Sequence, residues 1–317
     1  MEAPNHLVNI IDRQTSRQAP DAVCALADEL VKRYGDATQA ILFYGSCFRS
    51  GDASEGLVDL YVLVDNYRSA YRRPMLAFLN WLLPPNVFYL EMPYQDDVIR
   101  SKYTIFSLSD FQKGTSTRWF HSYLWARFAQ PAGLVYARNE QAAGQVKNAL
   151  AQAVQTFMTR VLPALSPRFD ARQLWSRGLL LSYRSELRSE KPDKLGRLFD
   201  TGRPYFEDLS RAAAGLLPYD VQVVSSDDPI QYRSQISSTI RFFNRLAWRL
   251  RILQGKLLSG ARLFKALFTF RGGVDYILWK IERHSGVAIE DAPRLRRFPV
   301  VGLGIIFWRL YRRGAFR

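Results

Sequence analysis

Cysteine and histidine are scarce in this 317-residue chain, at 2 and 3 residues. Cys24 and Cys47 make no CxxC pair, which excludes a disulfide framework and a cysteine zinc site and fits a reducing compartment. Long apolar runs are missing too. The longest charge-free apolar stretch near the end, residues 298–308, would cover about half of a bilayer core as a helix and cannot span alone. The start of the chain has neither the basic first region nor the apolar stretch of a signal peptide, and its early acids argue against a transit peptide. Acids themselves become rare late in the sequence: residues 241–317 hold 17 Lys+Arg and 4 Asp+Glu, whereas residues 1–240 hold 27 and 25.

What is present supports a folded protein. The chain is 48% hydrophobic with 7 Trp, enough apolar surface to offset the entropy of folding. Its length suits two domains of roughly 100–150 residues plus an extension. The concentration of the +15 net charge at one end implies a polyanionic partner, either nucleic acid or an anionic membrane face. An apolar stretch over 300–308 suits a phosphate-tracking arm poorly, so no nucleic acid is expected and the membrane is preferred.

Patterning predicts a helix over 22–32, β-runs over 39–43, 57–64, 86–92 and 103–108, and an aromatic-rich helix over 117–129. Residues 1–140 therefore read as a mixed α/β domain. Helical periodicity over 139–161 and 171–188 marks a second, helical domain to about residue 235. Long amphipathic helices are expected over 236–270 and 273–283, within a basic extension covering 236–317.

Residues 40–65, AILFYGSCFRSGDASEGLVDLYVLVD, carry the most chemical information. A strand runs into Gly45-Ser46, and a second strand bears Asp59. Gly45 lets the backbone approach a triphosphate, Ser46 can donate to a phosphate oxygen, and Asp59 can hold Mg²⁺ against the same phosphates. That is the layout of a polymerase-β-type nucleotidyltransferase site. Asp59 lacks an acid two positions away, since its same-face neighbours are Leu57 and Tyr61. Either the metal is held with fewer carboxylates and more phosphate oxygens, or a further carboxylate comes from elsewhere, with Glu91 the leading candidate and Asp65 and Asp97 behind it.

Four blocks in order, FYGSCFRSG with LVDLYVLVDN, SKYTIFSLSDF, TRWFHSYLWARFAQPAGLVY and LWSRGLLLSYRSELRSEKPDKL, resemble the mitochondrial translocator assembly and maintenance family of CTP:phosphatidate cytidylyltransferases. Together they cover about residues 40–200. The resemblance implies a nucleotidyltransferase domain over 1–140, a helical, winged-helix-like domain over 141–235, and catalysis by Asp59, Ser46 and Lys102. It also implies nucleotide contacts from Tyr44, Gly45, Ser46, Lys102, Arg127, Ser182, Tyr183, Arg188 and Lys194, with Glu186 in the same block. Two departures mark a distant relative: Cys47 stands where the family's phosphate loop has a further glycine, and the family's His-containing segment after the Asp strand has no match.

The implied reaction joins phosphatidate to CTP, giving CDP-diacylglycerol and pyrophosphate with Mg²⁺. A phosphate monoester has its second pKa near about 6, so the nucleophile is largely ionised at neutral pH and needs no general base. A basic amphipathic helix would bring the enzyme to its lipid: Ile240, Phe243, Leu246, Ala247, Leu250, Leu253 and Leu257 share one face, with Arg241, Arg245, Arg249 and Lys256 elsewhere on the wheel. Trp308, Arg309, Arg312 and Arg313 extend that membrane-binding set. The expected location is peripheral, on the cytoplasmic face of an inner membrane or the matrix face of a mitochondrial one. Alternatives are a nucleotidyltransferase acting on a protein, RNA or small molecule, and a catalytically inactive membrane-binding relative.

Overall fold

Strands rich in Val, Leu, Ile, Phe and Tyr need partners on both edges and cover on both faces, and the first half of the chain supplies both. The computed structural model describes residues 2–51, 57–186 and 192–269. Arg188, Trp308, Arg309, Arg312, Arg313 and the expected helix over 273–283 lie outside the described residues. In chain order the elements are α1 (Glu2–Thr15), α2 (Asp21–Tyr34), β1 (Thr38–Tyr44), α3 (Ser46–Ser50), β2 (Val58–Val64), α4 (Tyr67–Ala70), α5 (Pro74–Leu82), β3 (Asn86–Tyr94), β4 (Asp97–Ser107), α6 (Leu108–Thr115), α7 (Trp125–Phe128) and β5 (Gly133–Ala137). The second half adds α8 (Glu140–Val161), β6 (Arg168–Asp170), α9 (Ala171–Tyr183), α10 (Pro192–Thr201), α11 (Arg203–Ala214), β7 (Asp220–Ser225), β8 (Gln231–Gln235) and α12 (Ser238–Thr269).

The fold is mixed α/β. Five strands form one sheet in the order β3-β4-β2-β1-β5, in which β2 and β4 run parallel and the other neighbours antiparallel. Strand alternation divides its side chains cleanly. Ile41, Phe43, Leu60, Val62 and Ile105 cluster with Val23, Leu26 and Leu30 of α2 on one face. Leu42, Tyr61, Leu63 and Phe106 cluster on the other with Leu7, Ile10 and Ile11 of α1 and Val146, Val154 and Phe157 of α8. This second cluster continues through Trp175 of α9 and Phe206 of α11, so one core crosses the expected boundary at residue 140. A small sheet, β6-β8-β7, completes the helical half.

Several expected elements change. The helix over 117–129 shrinks to α7, because Ser116 turns the chain: its hydroxyl accepts from the Arg118 N–H and its carbonyl from the Trp119 N–H, local bonds that compete with helix formation. The helix over 171–188 ends at Tyr183, and the strand over 103–108 begins earlier, at Asp97. α1, α5 and the three-stranded sheet were not anticipated.

α12 straps the two halves together, and it does so inside out. Its 32 residues include seven cations and no acid, and at about 1.5 Å per residue it is roughly 48 Å long. The buried side holds Trp248, Arg251, Gly255 and Lys265. Polar groups there donate to loop and helix-end carbonyls: Arg241 to Ile236 and Leu165, Asn244 and Trp248 to Arg160, Arg251 to Phe120, Arg262 to Pro84, and Lys265 to Leu83 and Pro85. Buried carbonyls need such donors. Ile240, Phe243, Leu246, Leu250, Leu253, Leu257, Leu263 and Phe264 point outward, with Leu257 66% exposed. Among the described residues no helix is long and apolar enough to cross a membrane.

α12 can lie this close because residue 255 has no side chain: a Cβ there would stand 2.3 Å from the Ser185 carbonyl oxygen. Backbone cannot yield as a side-chain tip can. Gly255→Ala is therefore expected to lower stability by about 1–3 kcal/mol, the cost of overpacking, read as a lower urea midpoint than that of Gly260→Ala, whose Cβ meets nothing within 4 Å.

Candidate active site at the β1–β2 end

The register of the sheet places four polar side chains in a row across adjacent strands. Tyr44 of β1 pairs with Asp59 of β2, Asp59 with Lys102 of β4, and Lys102 with Tyr89 of β3. Cross-strand partners point to the same face, here the face that meets the helical half. Asp59 Oδ1 lies 2.9 Å from Lys102 Nζ as an ion pair. Its other oxygen is pressed against the backbone of the turn: a Cβ on Gly45 would come within 2.8 Å of Asp59 Oδ2. Gly45 also has φ 92° and ψ −158°, a region essentially reserved for glycine. Ser46 follows, exposed, at the start of α3. The structure therefore brings Gly45, Ser46, Asp59 and Lys102 together.

Behind this row lies an aromatic and cationic cluster. The Tyr44 ring is 5.0 Å from that of Tyr61, and the Arg127 guanidinium donates to the Tyr61 hydroxyl at 2.9 Å. Arg127 also bonds Glu186 at 2.9 Å and sits 4.4 Å over the Tyr123 ring. The Tyr61 hydroxyl donates in turn to that of Tyr123 at 3.1 Å. Burial, then the charge of Asp59, raise the Tyr44 phenol well above its ordinary range, so it stays neutral. α12 adds Arg262, 4.5 Å over Tyr123.

The remaining expected residues are placed elsewhere or otherwise engaged. Glu91 is two strands from Asp59, roughly 10 Å at the usual spacing, and it accepts from Tyr89 at 2.7 Å and from Arg100 at 3.1 Å. Asp65 accepts from Asn66 and Ser69 at the far end of β2, and Asp97 from the Val98 N–H beside the β3–β4 turn. None of the three reaches Asp59, which corrects the expectation of a second carboxylate from that set. Ser182 is buried and spends its hydroxyl on the Leu179 carbonyl within α9. Tyr183 and Ser182 line a cavity of about 20 Å³ with Arg127 and Glu186, room for about one water. Lys194 lies on α10. Arg241 is tied to carbonyls rather than open to a membrane, whereas Arg245, Arg249 and Lys256 are exposed.

Among the described residues no group of three or more His, Cys, Asp or Glu side chains gathers. A self-contained metal cage does not fit. The single carboxylate of Asp59 beside the Gly45 turn fits only an ion that keeps most of its ligands from water or a bound anion, as Mg²⁺ does.

Sequence reading overlooked Tyr61, Tyr89, Tyr123 and Arg262 as site residues. Tyr61 carried a signal, the period-two spacing from Asp59. Arg262 carried none, because cations on an amphipathic helix are expected to face water.

No protein-family profile matches the chain, and no curated protein matches it. Among solved structures it is similar to a nucleotidyltransferase-like protein from Exiguobacterium sibiricum 255-15, with 12% identity over 93% of this chain and 92% of that one and a TM-score of 0.24. At that score the likeness decides nothing.

Two outcomes follow. Gly45→Ala should cost about 1–3 kcal/mol through backbone strain and displace Asp59, read as a lower urea midpoint than that of the wild type. His121 is buried, without a hydrogen-bond partner among the described residues, and its pKa is lowered to about 3 by burial first, then by Arg262 and Arg127. Below its ordinary 6.5 the unfolded chain binds a proton that the folded one refuses. Stability should therefore fall as pH drops from about 6.5 to 3, and His121→Phe should flatten that slope in denaturant titrations.

Proposed function

We propose that the chain is a nucleotidyltransferase, and specifically a phosphatidate cytidylyltransferase that works at an anionic membrane surface. The observation that carries the first part is the contact of Asp59 with the Cα side of Gly45 while Lys102 holds its other oxygen. A carboxylate, a cation and a side-chain-free turn meet at one sheet end, as holding a triphosphate requires. The order of the four family-like blocks supports CTP and phosphatidate as the substrates. The outward apolar face of α12, flanked by exposed Arg245, Arg249 and Lys256, supports a peripheral membrane location.

In this reading Asp59 is the protein's ligand to Mg²⁺, which would neutralise charge on the triphosphate. Ser46 and the Gly45 turn face the phosphates, and Lys102 exchanges its carboxylate partner for a phosphate oxygen. A phosphatidate phosphate oxygen forms a bond to the α-phosphorus of CTP as the bond to the β-phosphate breaks and pyrophosphate leaves with the electron pair. The nucleophile is already ionised at neutral pH, so no base is required of the chain. Catalysis is then positioning and charge neutralisation.

One observation favours the inactive relative. A carboxylate already neutralised by Lys102 is a poorer cation ligand until the lysine moves. The test is CDP-diacylglycerol formation from CTP and vesicles containing phosphatidate. Wild type should turn over and Asp59→Ala should not, while both float with the vesicles. Turnover by Asp59→Ala would end the assigned role, and CTP-independent flotation without any turnover would favour the inactive reading. Leu253→Glu with Leu257→Glu, both outward on α12, should abolish flotation and reduce turnover on bilayers more than on detergent-dispersed lipid. These exchanges are cleaner than deleting the basic end, because Trp248 belongs to the core.

A further inference from the structure

α5 does not divide its faces as a surface helix does. Its sequence, PMLAFLNWL, carries no charge, and a helix apolar on every side is ordinarily buried in protein or in lipid. Its inner side is buried at Ala77 and Asn80, where the Asn80 side chain donates to the Ile105 carbonyl of β4 and accepts from the Asn86 N–H. Met75, Phe78, Trp81 and Leu82 fall within an arc of about 120° on the other side, and each is more than half exposed. A cavity of about 840 Å³ lies beside them, lined by Tyr67, Tyr71, Phe78 and Trp81 with Arg68 among others. Tyr67 spends its hydroxyl on Asp110 and Tyr71 on Asn80, so the two phenols offer ring carbon to that cavity.

Charge and position favour one occupant for this face. Residues 66–90 hold three arginines and no acid. These are Arg68, Arg72 and Arg73, all exposed and all just before the helix. Aromatic rings flanked by arginine suit a headgroup boundary. At nine residues, about 14 Å, α5 can lie in such a boundary but not cross a bilayer. Two copies meeting through α5 would bring like charges together, which disfavours a second copy. α12 reaches the same place. Arg262 donates to the Pro84 carbonyl and Lys265 to those of Leu83 and Pro85, in the turn that ends α5, while Leu263 and Phe264 beside them are exposed. The outward residues at the two helix ends are thus sequence neighbours of one packed contact.

We propose that α5 is a second membrane contact, in which Met75, Phe78, Trp81 and Leu82 enter the headgroup boundary of an anionic bilayer while Arg68, Arg72 and Arg73 pair with its phosphates. The contact rests on the peripheral membrane reading of α12 and adds to it an element from the other half of the chain. A single amphipathic helix leaves a protein free to rock about the helix axis. A contact on another element, at the end of that helix, fixes how the α/β half stands on the bilayer. Asp59 lies near the start of β2 and α5 follows its other end, about 17 Å of strand away, so α5 holds the domain without touching the proposed site.

Co-sedimentation of the full chain with vesicles tests the contact, using phosphatidylcholine alone and phosphatidylcholine mixed with phosphatidylglycerol, an anionic lipid outside the proposed reaction. Wild type should bind the anionic vesicles more tightly. Arg72→Gln with Arg73→Gln should weaken that binding about thirtyfold, at about fivefold per cation near the surface, and leave binding to neutral vesicles unchanged. Trp81→Glu should weaken binding to both by about tenfold. Trp81→Phe keeps the apolar surface and carries the test if a melting curve shows that the glutamate variant does not fold: on vesicles of brominated lipid, wild-type fluorescence should be quenched more than that of Trp81→Phe. Unchanged binding by the arginine and glutamate variants, or equal quenching, would overturn the α5 contact. Binding lost only in Leu253→Glu with Leu257→Glu would leave the membrane reading of α12 standing without it, and wild type bound to neither vesicle would overturn both. Equal acrylamide quenching of wild type and Trp81→Phe before vesicles are added would show another segment or copy of the chain lying on α5, and would overturn the contact. Turnover is not part of the readout, so the contact and the transferase reading fail separately.

Discussion

The pairing of Tyr44 with Asp59 across β1 and β2 is the constraint from which the site follows. One register decides that Asp59 faces the helical half, that Lys102 stands beside it on β4, and that the turn after Tyr44 passes directly under the carboxylate. A slip of one residue would move Asp59 to the α2 face, among Leu60, Val62 and Ile105, because side chains alternate with period two. Register is held by that same apolar face. The buried residues of β2 thus secure a polar residue they never touch, and the left-handed turn at Gly45 leaves the space that the carboxylate occupies.

α12 shows a second use of the principle that buried polar groups must be paired. Arginine and lysine on its inner side meet carbonyls left by loops and helix ends rather than carboxylates. Arg251 is 1% exposed, bonded to Phe120 O and stacked over the Phe120 and Trp248 rings. Burial lowers its pKa to about 10, still leaving it charged at neutral pH. Lys265, bonded to the Leu83 and Pro85 carbonyls, differs: burial first, then Arg262, lower its pKa to about 7, so the inner side carries its positive charge mainly on arginine. The outer side meanwhile exposes leucine and phenylalanine along the helix, which water does not reward.

Much of the fold was legible because its signals are local. The β1 and β2 runs, the break at Gly35 and the long helix α8 all follow from spacing and from residues with strong conformational preferences. The Gly45, Ser46 and Asp59 triad was legible for the same reason: two strands and a turn within 26 residues admit few arrangements. Glu91 shows the limit. Its strand was expected in the right place, but pairing β3 to β4, and β4 rather than β3 to β2, is a long-range choice that no local pattern encodes. Arg262 was hidden by a sound rule, since cations on an amphipathic helix belong in water unless distant carbonyls claim them. The segment over 117–129 was lost to one serine whose bonds to its own neighbours outcompeted helical ones.

The polar row and α12 are joined through a succession of aromatic rings, and those rings decide how the two communicate. Tyr44, Tyr61 and Tyr123 link Asp59 to Arg127 and Arg262 through ring contacts and two hydroxyl bonds. Burial keeps the Tyr44 and Tyr61 phenols protonated, so these two rings add no charge between the carboxylate and the arginines. Electrostatics between the carboxylate and the guanidiniums is consequently transmitted through a medium of low polarity, where attraction is stronger than in water.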